Sequence, residues 1–204
     1  MNAHAASLKS ITAASGDADL VVRALAGRED GFEELVRRYQ RPIVGYVYRM
    51  VGDYDTALDL AQEVFIKVYN SLGRYRPEFK FSTWIYRIAH NASIDHLRRA
   101  GNSRTEEIEI EGASGSTFEK PIASKSLTPE QETERGERRA EIEEVVRQLA
   151  PAYRELIVLR HSHDLSYDEI AEVTGLPLGT VKNRIFRARE AMRELLVARG
   201  ITGM

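Results

Sequence analysis

Between positions 180 and 189 stand seven side chains that could grip or read a nucleic acid: Thr180, Lys182, Asn183, Arg184, Phe186, Arg187 and Arg189. Lys and Arg hold phosphates, and Lys, Arg and Asn also match the donors and acceptors that base edges present in the major groove. A ring can meet a thymine methyl. From 180 to 199 there are six Lys/Arg against two Glu, in a chain of formal net charge −2. Such a face needs a rigid element behind it. Val181, Ile185, Ala188, Met192 and Leu195 recur at spacings of three and four, the apolar stripe of an amphipathic helix. Ahead of it, Ser166 and Glu169 form a capping-box pattern for a short helix through Ile170, Ala171 and Val173. Gly175 suits the left-handed turn that ends this helix, and Pro177 stops it from running on. The stretch LSYDEIAEVTGLPLGTVKNRIFRAREAM, residues 165–192, therefore reads as a helix-turn-helix with a basic second helix. Lys182 and Asn183 suit base edges, and Arg184, Arg187 and Arg189 suit phosphates. A solvated helix of an ordinary bundle would share this spacing, and the motif also occurs in proteins that bind no DNA.

A second chemistry lies in YRPEFKFSTWIYRIAHNASIDHLRR, residues 75–99. Tyr75, Phe79, Phe81, Trp84 and Tyr86 fall within twelve residues, in a chain that is only 8% aromatic. Arg76, Lys80, Arg87, His90, Asn91, Arg98 and Arg99 are interleaved with them. Unpaired bases stack on rings while cations follow the backbone, and an extruded base needs a receiving pocket. The 75–81 loop has rings and short polar groups suited to one. Helical spacing sends Trp84, Ile85, Ile88 and Ala92 inward and sets Arg87, Asn91, Ile94 and Arg98 on a neighbouring face. The same rings would also serve as plain core, and for Trp84 both roles stay open. A third surface is the helix over 55–72, with Asp55, Asp59, Gln62, Glu63, Ile66 and Asn70 outward: acids, amides and one apolar group. A charged helix face is also what solvent alone would favour.

Catalysis and metal binding find little support. His161, His163 and Asp164 are close in sequence, as are His90 and His96, but neither pair of histidines has the i, i+4 spacing of a helical metal site. There is no H-E-x-x-H, no Gly-rich phosphate loop and no G-x-S-x-G, so no cofactor or catalytic residue is expected, and the histidines read as surface groups at helix ends. The chain has no cysteine, which excludes disulfides and thiolate sites and fits a reducing, cytoplasmic setting. No apolar run reaches the roughly 18 residues of a membrane span. With 204 residues, 43% of them hydrophobic, it can bury one or two small cores. A pI near 6.2 is low for a protein that coats DNA by itself. Either the basic charge is local, or another molecule supplies most of the affinity.

The elements that must position these groups are all helical. Residues 1–16 are Ala/Ser-rich and read as a frayed tail. Helical patterning runs from Asp17 to Gly27. Asp30 and Glu33 resemble a capping box for a helix using Phe32, Leu35, Val36 and Tyr39, which Pro42 should kink or interrupt before Ile43, Tyr46, Val47 and Met50 resume the stripe. Leu58, Ala61, Phe65, Val68 and Leu72 should face inward on the 55–72 helix, and a last helix should run from Ser82 to about Arg99. Gly101 to Thr128 has no apolar stripe; residues 105–119 hold five acids and no Lys or Arg, so 101–128 reads as a flexible acidic linker. Helices at about 130–149 and 151–162 then precede the helix-turn-helix. The expectation is an all-α protein of two small domains, 17–100 and 129–204, on that linker.

Taken together, DLAQEVFIKVY at 59–69, FSTWIYRIAHNASIDHLRR at 81–99 and LSYDEIAEVTGLPLGTVKNRIFRARE at 165–190 resemble, in order, three blocks of bacterial RNA polymerase sigma factors of the extracytoplasmic-function (ECF), RpoE-like group. The likeness spans about Asp19 to Leu196. It implies that Asp55, Asp59, Gln62, Glu63 and Ile66 dock on the clamp of core RNA polymerase. It implies that Tyr75, Arg76, Phe79, Lys80, Trp84, Arg87, His90, Asn91 and Arg98 open and read the minus-ten element. The helix-turn-helix would read the minus-thirty-five element and lean on the polymerase flap, with the linker threading the enzyme's interior. It further implies a monomer within the polymerase, no membrane insertion, stress-responsive control by an anti-sigma factor, and affinity supplied by core enzyme, which accounts for the modest pI. Asp164 replaces a frequent Gly before Leu165, a position where Asp tolerates left-handed backbone. A free-standing regulator dimerising on an operator is the alternative; it has no need of aromatic-cationic strand chemistry beside a clamp-like helix.

Overall fold

The computed structural model describes residues 16–103 and 129–200. The tail to residue 15 and residues 104–128, which include most of the expected acidic linker, lie outside the described residues, as do 201–204. The architecture is all-α, with no strand among the described residues. The helices are α1 (Asp17–Leu25), α2 (Glu29–Val51), α3 (Tyr54–Ser71), α4 (Phe81–Ser103), α5 (Pro129–Gln148), α6 (Pro151–Ile157), α7 (Tyr167–Thr174) and α8 (Leu178–Ala198). A 3-10 turn, Leu72–Arg74, follows α3, and a wider π turn, Val158–Ser162, follows α6.

Local sequence explains most boundaries. Gly27 and Gly52 take positive φ, of 79° and 85°, where α1 and α2 end. Asp53 caps α3 by accepting from the Thr56 amide at 2.8 Å. The Ser166–Glu169 box forms in both directions: Glu169 N donates to Ser166 at 3.2 Å, and Ser166 N donates to Glu169 at 2.7 Å. Gly175 closes α7 at φ 72°, and Asp164 adopts φ 54° in the turn before it.

Four expectations need correction. The N-cap of α2 is Arg28 without a side-chain cap; Asp30 is taken up by Arg23 and Arg28 instead, which forestalls its capping role. Pro42 does not interrupt α2, which is assigned helical throughout Glu29–Val51. The inner face of α3 is Ala57, Leu60, Ala61, Val64 and Val68, with Leu58 and Phe65 only partly buried at its margin. Spacings of three and four fit either of two neighbouring stripes there, because the helix is apolar around much of its circumference. Helix α4 also continues through Gly101 to Ser103, beyond its expected end near Arg99.

Helices α1 to α4 pack round Leu35, Ile43, Tyr46, Val47, Val64 and Ile85; α5 to α8 enclose Leu156, Leu159, Ile170, Val181 and Ile185. These two groups are not held apart. Helix α4 packs along α7, and α2 touches α5, α6 and the π turn, so the buried residues form one continuous cluster. The sequence gives no periodic signal for that junction.

Close approach of α1 to α2 depends on Gly31. A Cβ at Gly31 would stand 2.6 Å from the Leu20 carbonyl oxygen and 2.7 Å from Ala24 N, both backbone atoms that cannot swing aside. We expect Gly31→Ala to destabilise the chain by about 1–3 kcal/mol in urea unfolding, as overpacking does. Gly101→Ala, in open space on α4, should be neutral or stabilising by up to ~1 kcal/mol; equal effects at the two sites would contradict the packing argument.

Candidate nucleic-acid interface

Helix α8 is fixed from below. Val181, Ile185 and Ala188 are essentially inaccessible, and Met192 and Leu195 pack at the edge of the same core. That anchoring leaves Lys182, Asn183, Phe186, Arg187 and Arg189 exposed, with Thr180 and Arg184 half-buried. Phe186 is 61% exposed, which makes it the apolar group of this face that packing does not explain. Tyr153, from the first turn of α6, lines a shallow concavity together with Gly179, Thr180, Asn183, Arg184 and Arg187. The cationic surface is therefore curved rather than a bare rod, and its lining includes a tyrosine that the sequence did not single out. His161 lies 3.4 Å from an Arg189 guanidinium nitrogen. That neighbour and partial burial, the larger cause, hold the imidazole below its usual range.

The 75–81 segment and α4 divide their aromatic groups. Phe81 is buried and packs edge-on to Tyr39 and Tyr75, with centroids 5.3 and 5.5 Å away. Trp84 leans on both Tyr75 and Phe81 at 5.5 and 5.6 Å, half-buried, so it braces the loop while keeping one side open. The Tyr75 hydroxyl donates to the Phe79 carbonyl at 2.7 Å, which ties the loop across its mouth. Burial, helped by Asp17 and Glu78, raises the Tyr75 hydroxyl above its usual range, so it stays a donor. Phe79 is 51% exposed beside exposed Arg76 and Lys80. Arg87, Asn91 and Arg98 also stand outward on α4, with Arg98 turned back to Asp95 at 2.8 Å.

Two residues of this set are tied to the other half of the chain. Lys80 forms an ion pair with Glu169 of α7 at 2.7 Å, which raises its ammonium pKa. His90 is buried, contrary to the expectation of surface histidines. Its Nδ1 lies 3.4 Å from the Tyr46 hydroxyl and 3.5 Å from the Glu155 carboxylate. His163, also read as a surface group, has Nδ1 2.5 Å from the Tyr86 hydroxyl. Sequence spacing could not place either, because their partners come from the opposite half of the chain.

On α3, Asp55, Asp59, Gln62, Glu63 and Ile66 are all exposed, Ile66 to 61%. Tyr69, one turn on, is 64% exposed and meets Phe32 of α2 edge-on at 5.0 Å, extending the patch with two rings that the sequence reading did not place there. An exposed ring at helical spacing looks the same in sequence as a buried one. Among the described residues no helix is long and apolar enough to cross a membrane.

Comparison with known proteins bears on both halves. Residues 35–103 match Sigma-70 region 2, and residues 139–192 match Sigma-70, region 4. The chain is 40% identical over 181 residues to the RNA polymerase sigma-H factor of Pseudomonas aeruginosa, covering 88% of this chain and 93% of that one. It is 37% identical over 177 residues to the ECF RNA polymerase sigma-E factor of Escherichia coli, covering 86% and 92%. The fold also resembles that of the sigma factor RpoE of Bartonella quintana, solved in complex with the anti-sigma factor NepR. There the TM-score is 0.63 at 22% identity, over 81% of this chain and 96% of that one. With both regions present in order and near-complete coverage of relatives at this identity, the chain belongs to the extracytoplasmic-function group of RNA polymerase sigma factors.

Proposed function

We propose that this protein is a promoter-specificity subunit. In this reading it binds core RNA polymerase, directs initiation to promoters by reading their minus-ten and minus-thirty-five elements, and helps to open the DNA. It has no catalytic step of its own. The observation that carries the reading is α8: a buried-backed helix that presents Lys182, Asn183, Phe186 and Arg187 outward, in a chain whose overall charge is too low to coat DNA alone. Core enzyme provides affinity; this chain provides selection.

The roles divide by surface. Asp55, Asp59, Gln62, Glu63 and Ile66 dock on the polymerase clamp, with Tyr69 and Phe32 widening the apolar part of the contact. Tyr75, Arg76, Phe79, Lys80, Trp84, Arg87, Asn91 and Arg98 act on the minus-ten element, Phe79 as the ring on which an extruded non-template base stacks. Tyr75 and Trp84 hold that loop in shape. Helix α8 reads the minus-thirty-five element, with Lys182 and Asn183 on base edges and Arg184, Arg187 and Arg189 on phosphates, and its domain leans on the flap. The domain limits of this reading are 17–100 and 129–204, with the intervening acidic segment passing through the polymerase. Control falls to an anti-sigma factor, within a stress response in the cytoplasm.

Loss of one base–aromatic stack costs about 1–3 kcal/mol. Phe79→Ala should therefore slow open-complex formation on a duplex promoter and matter far less on a template with a pre-melted bubble. Equal defects on both templates would remove the base-capture role.

At α8, Asn183→Ala should cost about 1–3 kcal/mol of discrimination at one or two upstream base pairs. Arg187→Ala should weaken binding to all sequences alike and flatten its salt dependence. Transcription from a library randomised at the minus-thirty-five element separates the two. If Asn183→Ala leaves the base preference unchanged, Asn183 does not read bases.

A further inference from the structure

The turn between α6 and α7 carries a histidine that neither the core nor the proposed base contacts use. Val158 and Leu159 bury the start of that turn, and His161 emerges exposed beside α8. Its Nε2 lies 3.4 Å from a guanidinium nitrogen of Arg189. A guanidinium only donates and keeps its charge, so the contact holds the imidazole neutral, with Nε2 as acceptor. Lys182, Phe186 and Arg189 follow one another at spacings of four and three, which sets them on one side of α8, all three exposed. His161 therefore extends, from a different element, the exposed row that begins at Lys182. Arg160, its neighbour in the turn, is fixed by donating to the Leu165 carbonyl at 2.9 Å and by lying over the Tyr167 ring at 5.3 Å.

Charging this imidazole in the free chain sets a second cation against Arg189. Burial is the largest cause that holds His161 below its ordinary range, followed by Arg189 of α8 and Arg160 of its own turn, while Asp164 of the same stretch pulls the other way. The like charges that oppose the proton are those an anion would relieve. A phosphate oxygen seated between ring and guanidinium would accept from both, in two charge-assisted hydrogen bonds. We infer that His161 and Arg189 together clamp one phosphate of the DNA backbone, and that His161 takes up a proton from solvent as the clamp forms. The bond from Arg189 to Nε2 is given up, the proton goes onto Nε2, and both groups then donate to the phosphate. The inference rests on the proposed reading of DNA by α8 and adds to it a contact from outside the recognition helix.

The clamp gives promoter binding a pH signature of fixed sign. Bound phosphate favours the charged imidazole, so His161 titrates at a higher pH in the complex than in the free chain. Affinity for DNA is gained as pH falls through that interval and is level on either side of it. The lower edge of the interval lies below the ordinary 6.5 of histidine, because burial and two guanidiniums disfavour the charged ring in the free chain. Each added phosphate contact also releases counterions, so the protonated form depends more steeply on salt. A histidine that merely packed against α8 would change neither slope.

The test uses core polymerase reconstituted with the full chain, a duplex promoter that the complex transcribes, and the same duplex cut short before its minus-thirty-five element. Binding is titrated at several salt concentrations between about pH 8 and about pH 5.5, the range in which an unperturbed histidine changes charge. Each variant is compared with the wild type at the same pH, which cancels the pH dependence of the polymerase itself. His161→Gln, whose amide oxygen still accepts from Arg189 but takes no proton, should fall behind the wild type as pH drops, by about two- to fivefold at the acid end, the worth of an exposed charge pair. His161→Lys, charged throughout, should lead the wild type at the alkaline end and lose that lead on acidification. The wild-type salt slope should steepen by about 0.9 on acidification, one phosphate more, and stay constant in both variants. On the shortened duplex the three chains should run parallel. A constant ratio of wild type to His161→Gln at every pH, an unchanging wild-type salt slope, or a pH-dependent gap that persists on the shortened duplex would each overturn the clamp. Equal binding of the wild type to the full and shortened duplexes would overturn the proposed role of α8, and the clamp with it.

Discussion

One helix, Phe81–Ser103, must serve three neighbours with a single 3.6-residue repeat, and the rest of the molecule follows from how its circumference is divided. Phe81, Ile85, Ala89 and Ala92 take the side that packs on the N-terminal helices. Tyr86 and His90 lie a quarter to a third of a turn round and meet the C-terminal half. Arg87, Asn91 and Arg98 occupy what is left and point to solvent. Shifting the inner side forward by one residue would bring Ser82, Tyr86, His90 and Ser93 to it in place of Phe81, Ile85, Ala89 and Ala92. The proposed minus-ten surface and the junction with the helix-turn-helix half are therefore adjacent sides of one rod, and access to one bears on the other.

The same division of labour recurs at α8. Three small or branched residues, Val181, Ile185 and Ala188, sink one side so completely that the opposite side has no packing obligations. An exposed Phe186 among cations is tolerable there only at a modest cost in solvation, a cost that contact with DNA would recover. Anchoring and the proposed recognition are thus one arrangement. Loosening the buried stripe would blur the geometry of Lys182 and Asn183 before it unfolded the domain.

How much of this was legible in sequence depends on the range of the interaction. The Ser166–Glu169 box, the Gly175 turn, the left-handed Asp164 and the buried stripe of α8 are set by residues within a few positions of one another, and the structure carries all four. The three ordered blocks that mark sigma factors are equally local. The α3 stripe was placed one row off because its apolar residues cover too wide an arc for spacing to choose a centre. His90 and His163 were misread as surface groups because their partners stand 65 and 77 positions away, in Glu155 and Tyr86. Periodicity says which way a side chain points on its helix; it does not say what arrives from the other half. Phe32 and Tyr69 were missed for the same reason, since the patch they form exists only once α2 lies beside α3.

The central claim is that this chain selects promoters as part of RNA polymerase rather than acting on DNA by itself. The most direct measurement is gel filtration of the chain with core polymerase, followed by sequencing of the 5′ ends of transcripts made in vitro by the eluted complex on a genomic template. The account predicts stoichiometric co-elution and transcript starts clustered downstream of one shared pair of upstream elements, with core polymerase alone giving none of them. Sequence-specific DNA binding by the free chain, with no co-elution and no new starts, would contradict it.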